Sequence, residues 1–195
     1  MLTSNNTKRP TTSKEYRGRF APSPSGPLHF GSLITALASF VHAKQHNGKW
    51  LVRIEDIDPP REQVGAASLI LKTLEAFGLN WDEDVLYQSQ QTERYNDVLA
   101  DLAKQNLSYQ CQCTRAKIKA KGGIYQGHCK TLNLPIKDSA TRLINKTAID
   151  QYQDLIQGHI KCDTALAKED FILKRKDGLF AYQLAVVLDD IAQDD

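Results

Sequence analysis

Three groups of residues have types and spacing that could do chemistry. The first is His29-x-Gly31, which closes the proline-rich loop Ala21-Pro22-Ser23-Pro24-Ser25-Gly26-Pro27-Leu28. Tyr16 to Ala21 read as a strand before that loop. Leu33, Ile34, Leu37, Ala38 and Val41 recur after it at helical spacing. The histidine and glycine therefore fall at a helix N-terminus, where unpaired backbone N–H groups and the positive end of the dipole suit phosphate. Gly31 has no side chain, so a flat base could approach its backbone. His29 could donate a hydrogen bond to a phosphoryl oxygen as charge develops there. The bare triplet by itself reads more readily as a helix-capping histidine beside a turn glycine.

The second group is Arg19, Ser23 and Glu55. Arg19 and Glu55 lie near the carboxyl ends of two segments that read as parallel strands, the edge where open α/β sheets bind ligands. An amino-acid substrate presents an ammonium and a carboxylate. The planar fork of Arg19 matches a carboxylate, and Glu55 offers a counter-charge for an ammonium. Ser23 could hydrogen-bond a carboxylate from the loop. Spacing alone also fits a solvated ion pair on two strand ends. The third group is Cys111-x-Cys113 with Cys129, three soft ligands suited to zinc. A fourth ligand could come from His128 or Tyr125. Imidazole binds as the neutral ring whereas a phenol must lose a proton, but His128 is the immediate neighbour of Cys129. Such a metal would be structural, pinning a segment poor in apolar residues. Cys162 stands apart and reads as a space-filling thiol.

The elements that must position these residues can be read along the chain. His46-Asn47-Gly48 stops the first helix, and Lys49 to Glu55 read as a strand. Strand, helix, strand in that order predicts a right-handed βαβ unit with parallel strands. Pro59 and Pro60 bar strand or helix directly afterwards. A helix is expected over 62–77 with Val64, Ala67, Leu71 and Leu74 on one face and Gly78 as its C-cap. Another is expected over 90–105, with Tyr95, Val98, Leu99 and Leu102 together. The stretch 111–129 is short, Lys- and Gly-rich and carries cysteines. Residues 130–168 read only as a mixed insertion. Lys176-Asp177-Gly178 is a hairpin signal between Phe171–Arg175 and Leu179–Tyr182. Tyr182 then reads as a half-buried strand tyrosine, and Ala185 to Leu188 as a buried apolar run ending in Asp189-Asp190.

A chain of 195 residues suits one or two small domains with a real core. The net charge of +2 is no signature of nucleic acid, so an RNA partner would require unevenly placed basic residues. No apolar run approaches transmembrane length, and the polar segment 1–15 lacks the apolar stretch of a signal peptide. That segment reads as a disordered tail. A cytoplasmic, reducing location is expected, in which cysteines are metal ligands or free thiols rather than disulfides.

The string Arg19-Phe20-Ala21-Pro22-Ser23-Pro24-Ser25-Gly26-Pro27-Leu28-His29-Phe30-Gly31-Ser32 resembles the signature of class I glutamyl-tRNA synthetases, whose R-F-A-P-S-P loop precedes the "HIGH" motif. Its S-G-x-L-H-x-G-S-L form is most similar to the short paralogues, the glutamyl-Q tRNA(Asp) synthetases. Ser32 occupies the fourth position of HIGH, so no role of a second histidine carries over. Arg53-Ile54-Glu55-Asp56-Ile57-Asp58 resembles the family's R-I-E-D motif. Phe180 to Asp190 resemble its Y-x-x-A-V-V-V-D-D stretch. The likeness covers about residues 16–129 and 170–190.

The resemblance implies that Arg19, Ser23 and Glu55 hold glutamate, that Ala21 lines the pocket and that Tyr182 contacts the substrate side chain. His29 and Gly31 would serve ATP, bound with Mg2+. The family's C-x-C-x11-Y-x3-C spacing, matched here, implies Cys111, Cys113, Tyr125 and Cys129 as ligands of a structural Zn2+. The implied fold is α/β, a class I synthetase Rossmann-type parallel sheet with an inserted zinc-bearing, acceptor-binding subdomain. The expected division is a tail over 1–15, the first half of the catalytic domain over 16–110, the insertion over 111–168 and the start of the second half over 169–195. The implied reaction converts glutamate and ATP to glutamyl-adenylate and pyrophosphate, then passes glutamate to queuosine at the wobble position of tRNA(Asp). A monomer is expected. The runner-up is the N-terminal part of an ordinary glutamyl-tRNA synthetase charging tRNA(Glu); another is a non-catalytic zinc-bearing RNA-binding module. The family's Lys-rich "KMSKS"-type loop has no good match, since Lys117, Lys119 and Lys121 fall inside the insertion and Lys174-Arg175-Lys176 come too early. The chain is therefore expected to be an incomplete catalyst.

Overall fold

A computed structural model describes residues 15–193. The tail expected over 1–15 lies outside the described residues except for Glu15. The described residues fall into two compact units, one of residues 15–54 and 62–86, the other of 55–61 and 87–193.

The first unit is the expected strand–helix–strand. β1 (Arg17–Phe20) pairs in parallel with β2 (Lys49–Ile54), with Arg19 opposite Leu51. The short β3 (Leu86–Tyr87) completes the order β1-β2-β3. α1 (Phe30–Gln45) packs on both long strands, but through small residues. Its buried positions are Ala36 and Ala43, and a Cβ at Gly18 would stand 3.4 Å from the Ala43 methyl. That close approach leaves Trp50 fully buried, its indole N–H donating to Ser39 Oγ at 2.9 Å. The expected stripe of Ile34, Leu37 and Val41 is helical but exposed. The larger residues occupy the flank that the glycine-to-alanine contact leaves outside. Gly48 ends the helix as anticipated. An added Cβ there would lie 2.2 Å from the Tyr16 carbonyl oxygen, which no side chain could tolerate.

α2 (Ala66–Ala76) starts later than the pattern implied. Its core face is Ala66, Ile70 and Leu74, whereas Val64 precedes the helix and is fully exposed. Gly65 at φ +80° sets that start, and Gly78 at φ +71° makes the expected C-terminal cap.

In the second unit the two prolines do not bar helical structure. Pro59–Arg61 form a single 3-10 turn, with Arg61 N–H donating to the Asp58 carbonyl at 2.9 Å. Proline is tolerated in a first turn because its missing N–H would have no partner there. A second 3-10 turn (Gln88–Gln91) leads into α3 (Thr92–Lys104). Its Tyr95, Val98, Leu99 and Leu102 join one core cluster with Leu173, Leu184 and Ala185. Residues 108–174 form an antiparallel sheet, a hairpin and two short helices, so the sheet extends on both sides of the insertion expected over 111–168. β4 (Ser108–Cys111), β5 (Ala140–Leu143) and β8 (Ile172–Lys174) form the sheet in the order β4-β5-β8. α4 (Arg115–Lys119) follows β4. β6 (Gln151–Asp154) and β7 (Gly158–Lys161) pair only with each other, and α5 (Thr164–Ala167) follows, capped by Asp163.

The turn at Lys176-Asp177-Gly178 is present, with Arg175 N–H donating to the Leu179 carbonyl at 2.8 Å. Its return arm, however, is a single bridge from Phe180 to Lys174. The chain then enters α6 (Tyr182–Gln193), so the strand reading of Tyr182 and of Ala185 to Leu188 is overturned. Leu184, Ala185, Leu188 and Asp189 share one helical face, and a four-residue apolar run does not by itself separate helix from strand. Tyr182, at the first position of α6, is 58% exposed rather than half-buried.

Candidate functional site

The loop between β1 and α1 encloses a cavity of about 300 Å³, the lower end of ligand-pocket size. Ala21, Ser23, Gly26, His29 and Ser32 line it. Pro22 and Pro24 are buried under the loop, and the Pro24 carbonyl accepts from Gln63 N–H at 2.9 Å. Gly26 adopts φ +150°, a conformation L side chains rarely take.

His29 is the N-cap of α1. Its Nδ1 accepts from Ser32 N–H at 3.1 Å, which places the proton of the neutral ring on Nε2. The capping role and the donor role are thus properties of one ring: the cap consumes one nitrogen and leaves an N–H on the other. Ser32 Oγ stands 3.1 Å from that Nε2. Gly31 has a reason beyond ligand approach, since an added Cβ would sit 3.2 Å from His29 Cε1. Arg19, on β1, is partly buried, and Ser23 is exposed on the loop.

Of the expected substrate residues, Arg19, Ala21, Ser23, His29 and Gly31 belong to the first unit, and Glu55 and Tyr182 to the second. Glu55 directly follows β2 and is partly buried. Its neighbours are anchors: Asp56 accepts from Ser89 N–H and Oγ–H at 2.8 and 2.7 Å, and Asp58 from Arg61 at 2.5 Å.

Sequence reasoning missed Asp189, which is fully buried on α6. It accepts from Gln88 Nε2 at 2.7 Å, from the Tyr95 hydroxyl at 2.8 Å and from the Arg94 guanidinium. Burial, and then the facing Asp189 carboxylate, push the Tyr95 phenol far above its ordinary pKa. The available signal was a carboxylate one helical turn from Ala185 in an apolar run.

The cysteines of the third group do converge. The Sγ atoms of Cys111, Cys113 and Cys129 all lie within 4.8 Å of one another, with Cys113 and Cys129 3.6 Å apart. Zinc–sulfur bonds of about 2.3 Å at tetrahedral angles set sulfurs roughly 3.8 Å apart, so the donor set fits zinc. Tyr125 is buried among these thiols, and its hydroxyl accepts from Cys129 N–H at 2.9 Å. His128 is exposed. The Arg142 guanidinium lies 3.8 Å from the Tyr125 ring centroid. Tyr109 hydroxyl donates to Asp170 at 2.9 Å beside the cluster. Burial, and then the Cys129 hydrogen bond, push the Cys113 thiol up to about 11. Burial acts the same way on Cys129, but hydrogen bonds from Gln112 N–H and Tyr125 outweigh it and draw that thiol below its usual value. Cys162 stands outside the cluster. Among the described residues, no helix is long and apolar enough to cross a membrane.

A family model described as tRNA synthetases class I (E and Q), catalytic domain, matches residues 15–194. The glutamyl-Q tRNA(Asp) synthetase of Colwellia psychrerythraea is 64% identical over 195 residues, covering 95% of this chain and 62% of that protein. The Shigella flexneri protein of the same name is 57% identical over 179 residues, covering 92% and 58%. The chain thus spans about three-fifths of the length of these curated relatives. Among solved structures, a glutamate tRNA ligase from Elizabethkingia meningosepticum in complex with its amino acid superposes with a TM-score of 0.77 at 27% identity, covering 93% of this chain and 42% of that one. The glutamate-tRNA synthetase of Elizabethkingia anophelis gives 0.78 at 26%, covering 93% and 43%.

Proposed function

The chain belongs to the class I tRNA synthetases for E and Q, matched in their catalytic domain, and from that premise we propose that it activates glutamate with ATP as part of a glutamyl-Q tRNA(Asp) synthetase. The observation that carries this reading is the strand–loop–helix turn, in which Ala21, Ser23 and His29 line one cavity at the start of α1. A glutamate carboxylate oxygen attacks the α-phosphorus of ATP, the bond from that phosphorus to the bridging oxygen breaks, and pyrophosphate leaves. His29 Nε2–H, held by the cap on Nδ1, donates to the phosphoryl oxygens as their charge grows. Gly31 keeps the space that lets the ring take this position. By the likeness of their motifs, Arg19 and Ser23 are assigned to the glutamate carboxylate oxygens, Ala21 to the pocket lining, Glu55 to the ammonium and Tyr182 to the substrate side chain. The acyl group then moves to a hydroxyl of queuosine in tRNA(Asp), and AMP departs.

Cys111, Cys113, Cys129 and Tyr125 would hold a zinc ion, which supplies structural bonds and no step of the reaction. The burial of Tyr125 and the exposure of His128 support this choice of fourth ligand. The names of the relatives at 56–64% identity favour the queuosine-directed reading over charging of tRNA(Glu). The test is ATP–pyrophosphate exchange driven by glutamate without any tRNA, on this chain and on one extended to the length of its relatives. Exchange only in the presence of tRNA(Glu) would support the ordinary synthetase, and no exchange in either chain would reject the activity.

A further inference from the structure

The cysteine centre grows out of a sheet face that also carries a buried cation. Tyr109 and Cys111 are two apart on β4 and so share one face of the sheet. Arg142 on β5 stands directly opposite Tyr109, as Ala140 stands opposite Cys111. Arg142 is 3% exposed, and its guanidinium lies over the Tyr125 ring.

A charge this deep is held only where it is paired and hydrogen-bonded. The pairing of Arg142 is thin. Its Nη1–H donates to the Asp170 carbonyl at 2.5 Å, and the nearest carboxylate oxygen given to it is that of Glu169, 3.6 Å away. The Asp170 carboxylate is taken by other donors: the Tyr109 hydroxyl at 2.9 Å, Asn145 N–H at 2.7 Å and Lys130 Nζ at 3.1 Å. Among the described residues, the buried Arg142 Nε has no hydrogen-bond partner. One carbonyl and one long ion pair leave the guanidinium short of negative charge, and the ring it touches belongs to the centre.

We propose that Arg142 is the counter-ion of the cysteine–tyrosine centre, a positioning residue whose charge sets how tightly the metal is held and whose plane keeps the Tyr125 ring against the sulfurs. This rests on the reading of Cys111, Cys113, Tyr125 and Cys129 as zinc ligands. The ligands lose their protons when the metal enters. Three thiolates and a phenolate then carry more negative charge than a divalent ion offsets, and a fixed cation beside them favours that loaded state. Arginine suits the place because it is planar, always charged and more weakly hydrated than an ammonium. Glu169 acts in the opposite sense, since its carboxylate competes with the centre for the same guanidinium.

The test is zinc affinity of the whole chain at one fixed pH under reducing conditions, measured by competition with a chromophoric chelator. Arg142→Gln should weaken zinc binding roughly 10- to 100-fold, the usual cost of losing a group that supports metal ligands. Arg142→Lys keeps the charge without the plane and should fall between that variant and the wild type. Glu169→Gln should bind zinc as tightly as the wild type or more tightly. A pair that served only to fix the chain near β5 would weaken zinc alike from either end, so equal losses in Arg142→Gln and Glu169→Gln overturn the proposal. Unchanged affinity in Arg142→Gln overturns it too. Should Arg142→Gln fail to fold, Arg142→Lys and Glu169→Gln still decide: a looser Glu169→Gln, or an Arg142→Lys equal to the wild type, counts against it. With cobalt in place of zinc, the folded Arg142 variants should keep the visible absorption of a tetrahedral thiolate site at saturation. Loss of those bands would mean the ligands themselves had been displaced, and would overturn the counter-ion role. Elemental analysis of the wild type keeps the two readings apart. Absence of metal there removes the zinc reading and this inference with it, whereas bound metal indifferent to Arg142 removes this inference alone.

Discussion

Removing the Asp189 carboxylate should unfold the second unit well before the first. Asp189 is fully buried and accepts hydrogen bonds from Gln88, Tyr95 and Arg94. Asp189→Ala strands a buried phenol, a buried amide and a guanidinium that is 31% exposed. Breaking one side of a buried ion pair typically costs about 3–5 kcal/mol. Asp189→Asn keeps the shape but loses the charge, and its NH2 faces groups that are themselves donors, so about 1.5–3 kcal/mol is expected. Tyr95→Phe is the partner for a double-mutant cycle. The hydroxyl should matter in the wild type and much less once its acceptor is gone, giving a coupling above about 0.5 kcal/mol. The probe must be chosen with care. Both tryptophans, Trp50 and Trp81, belong to the first unit, so their fluorescence would not see the change. Urea unfolding followed by far-ultraviolet circular dichroism gives the energies, and hydrogen exchange across α3 and α6 locates them. A cost below about 1 kcal/mol for Asp189→Ala, or strict additivity with Tyr95→Phe, would refute the idea that this carboxylate ties α3 to α6.

Three further outcomes are expected. Protein purified under reducing conditions without chelator should carry one zinc per chain by elemental analysis, and Cys129→Ser should lose it. Metal retention should weaken as pH falls, because protons compete for the thiolates, and burial already holds the Cys113 thiol up at about 11. Glu55→Gln should weaken glutamate binding roughly ten- to a hundred-fold, the equivalent of a charge-assisted hydrogen bond of about 1.5–3 kcal/mol, while sparing ATP. Calorimetric titration of each ligand reads this, and equal losses would make Glu55 only structural. Glu83 is held at about 2 by hydrogen bonds from Arg17 and then Lys49. Its folded value is depressed, so its contribution is full above the ordinary 4.5 and is lost as pH falls towards about 2. Glu83→Gln should flatten that acid limb and cost at most about 1 kcal/mol at neutral pH, since the pair is exposed. An unaltered acid limb in the variant would remove Glu83 from the account.

The parts of the fold legible in the sequence are those whose determinants are local. The turn at Gly48, the cap at Gly78 and the core face of α3 depend on residues within one or two turns, and each was read correctly. The cavity loop was legible for the same reason, with strand, prolines, cap histidine and glycine following one another in the chain. What failed depends on partners distant in sequence. The exposed stripe of α1 looks like a core face until Gly18, more than a turn before the helix, is found against Ala43. α6 looks like a strand because its run of apolar residues is too short to show a period. Its helical spacing becomes meaningful only when Leu184 and Ala185 meet Tyr95 and Leu173.

Asp189 is the sharpest case. As a sequence feature it ends an apolar run and reads as the first residue outside the core. In the structure its partners come from residues 88–95, about a hundred positions earlier, and it lies deeper than most of the apolar residues around it. A carboxylate can be that deep only because three donors reach it together, and no single one of them is informative alone. The same holds for the cysteine centre. Spacing identified the three thiols, but it left Tyr125 and His128 open, because neighbouring positions in a loop differ in direction and not in distance along the chain. The phenol lies among the sulfurs and under Arg142, while the imidazole is exposed, and this difference is what favours the phenol as the proposed fourth ligand. Side-chain direction in an irregular segment is set by what packs against it, and in this chain that is Arg142 on β5, which no window around residue 125 contains.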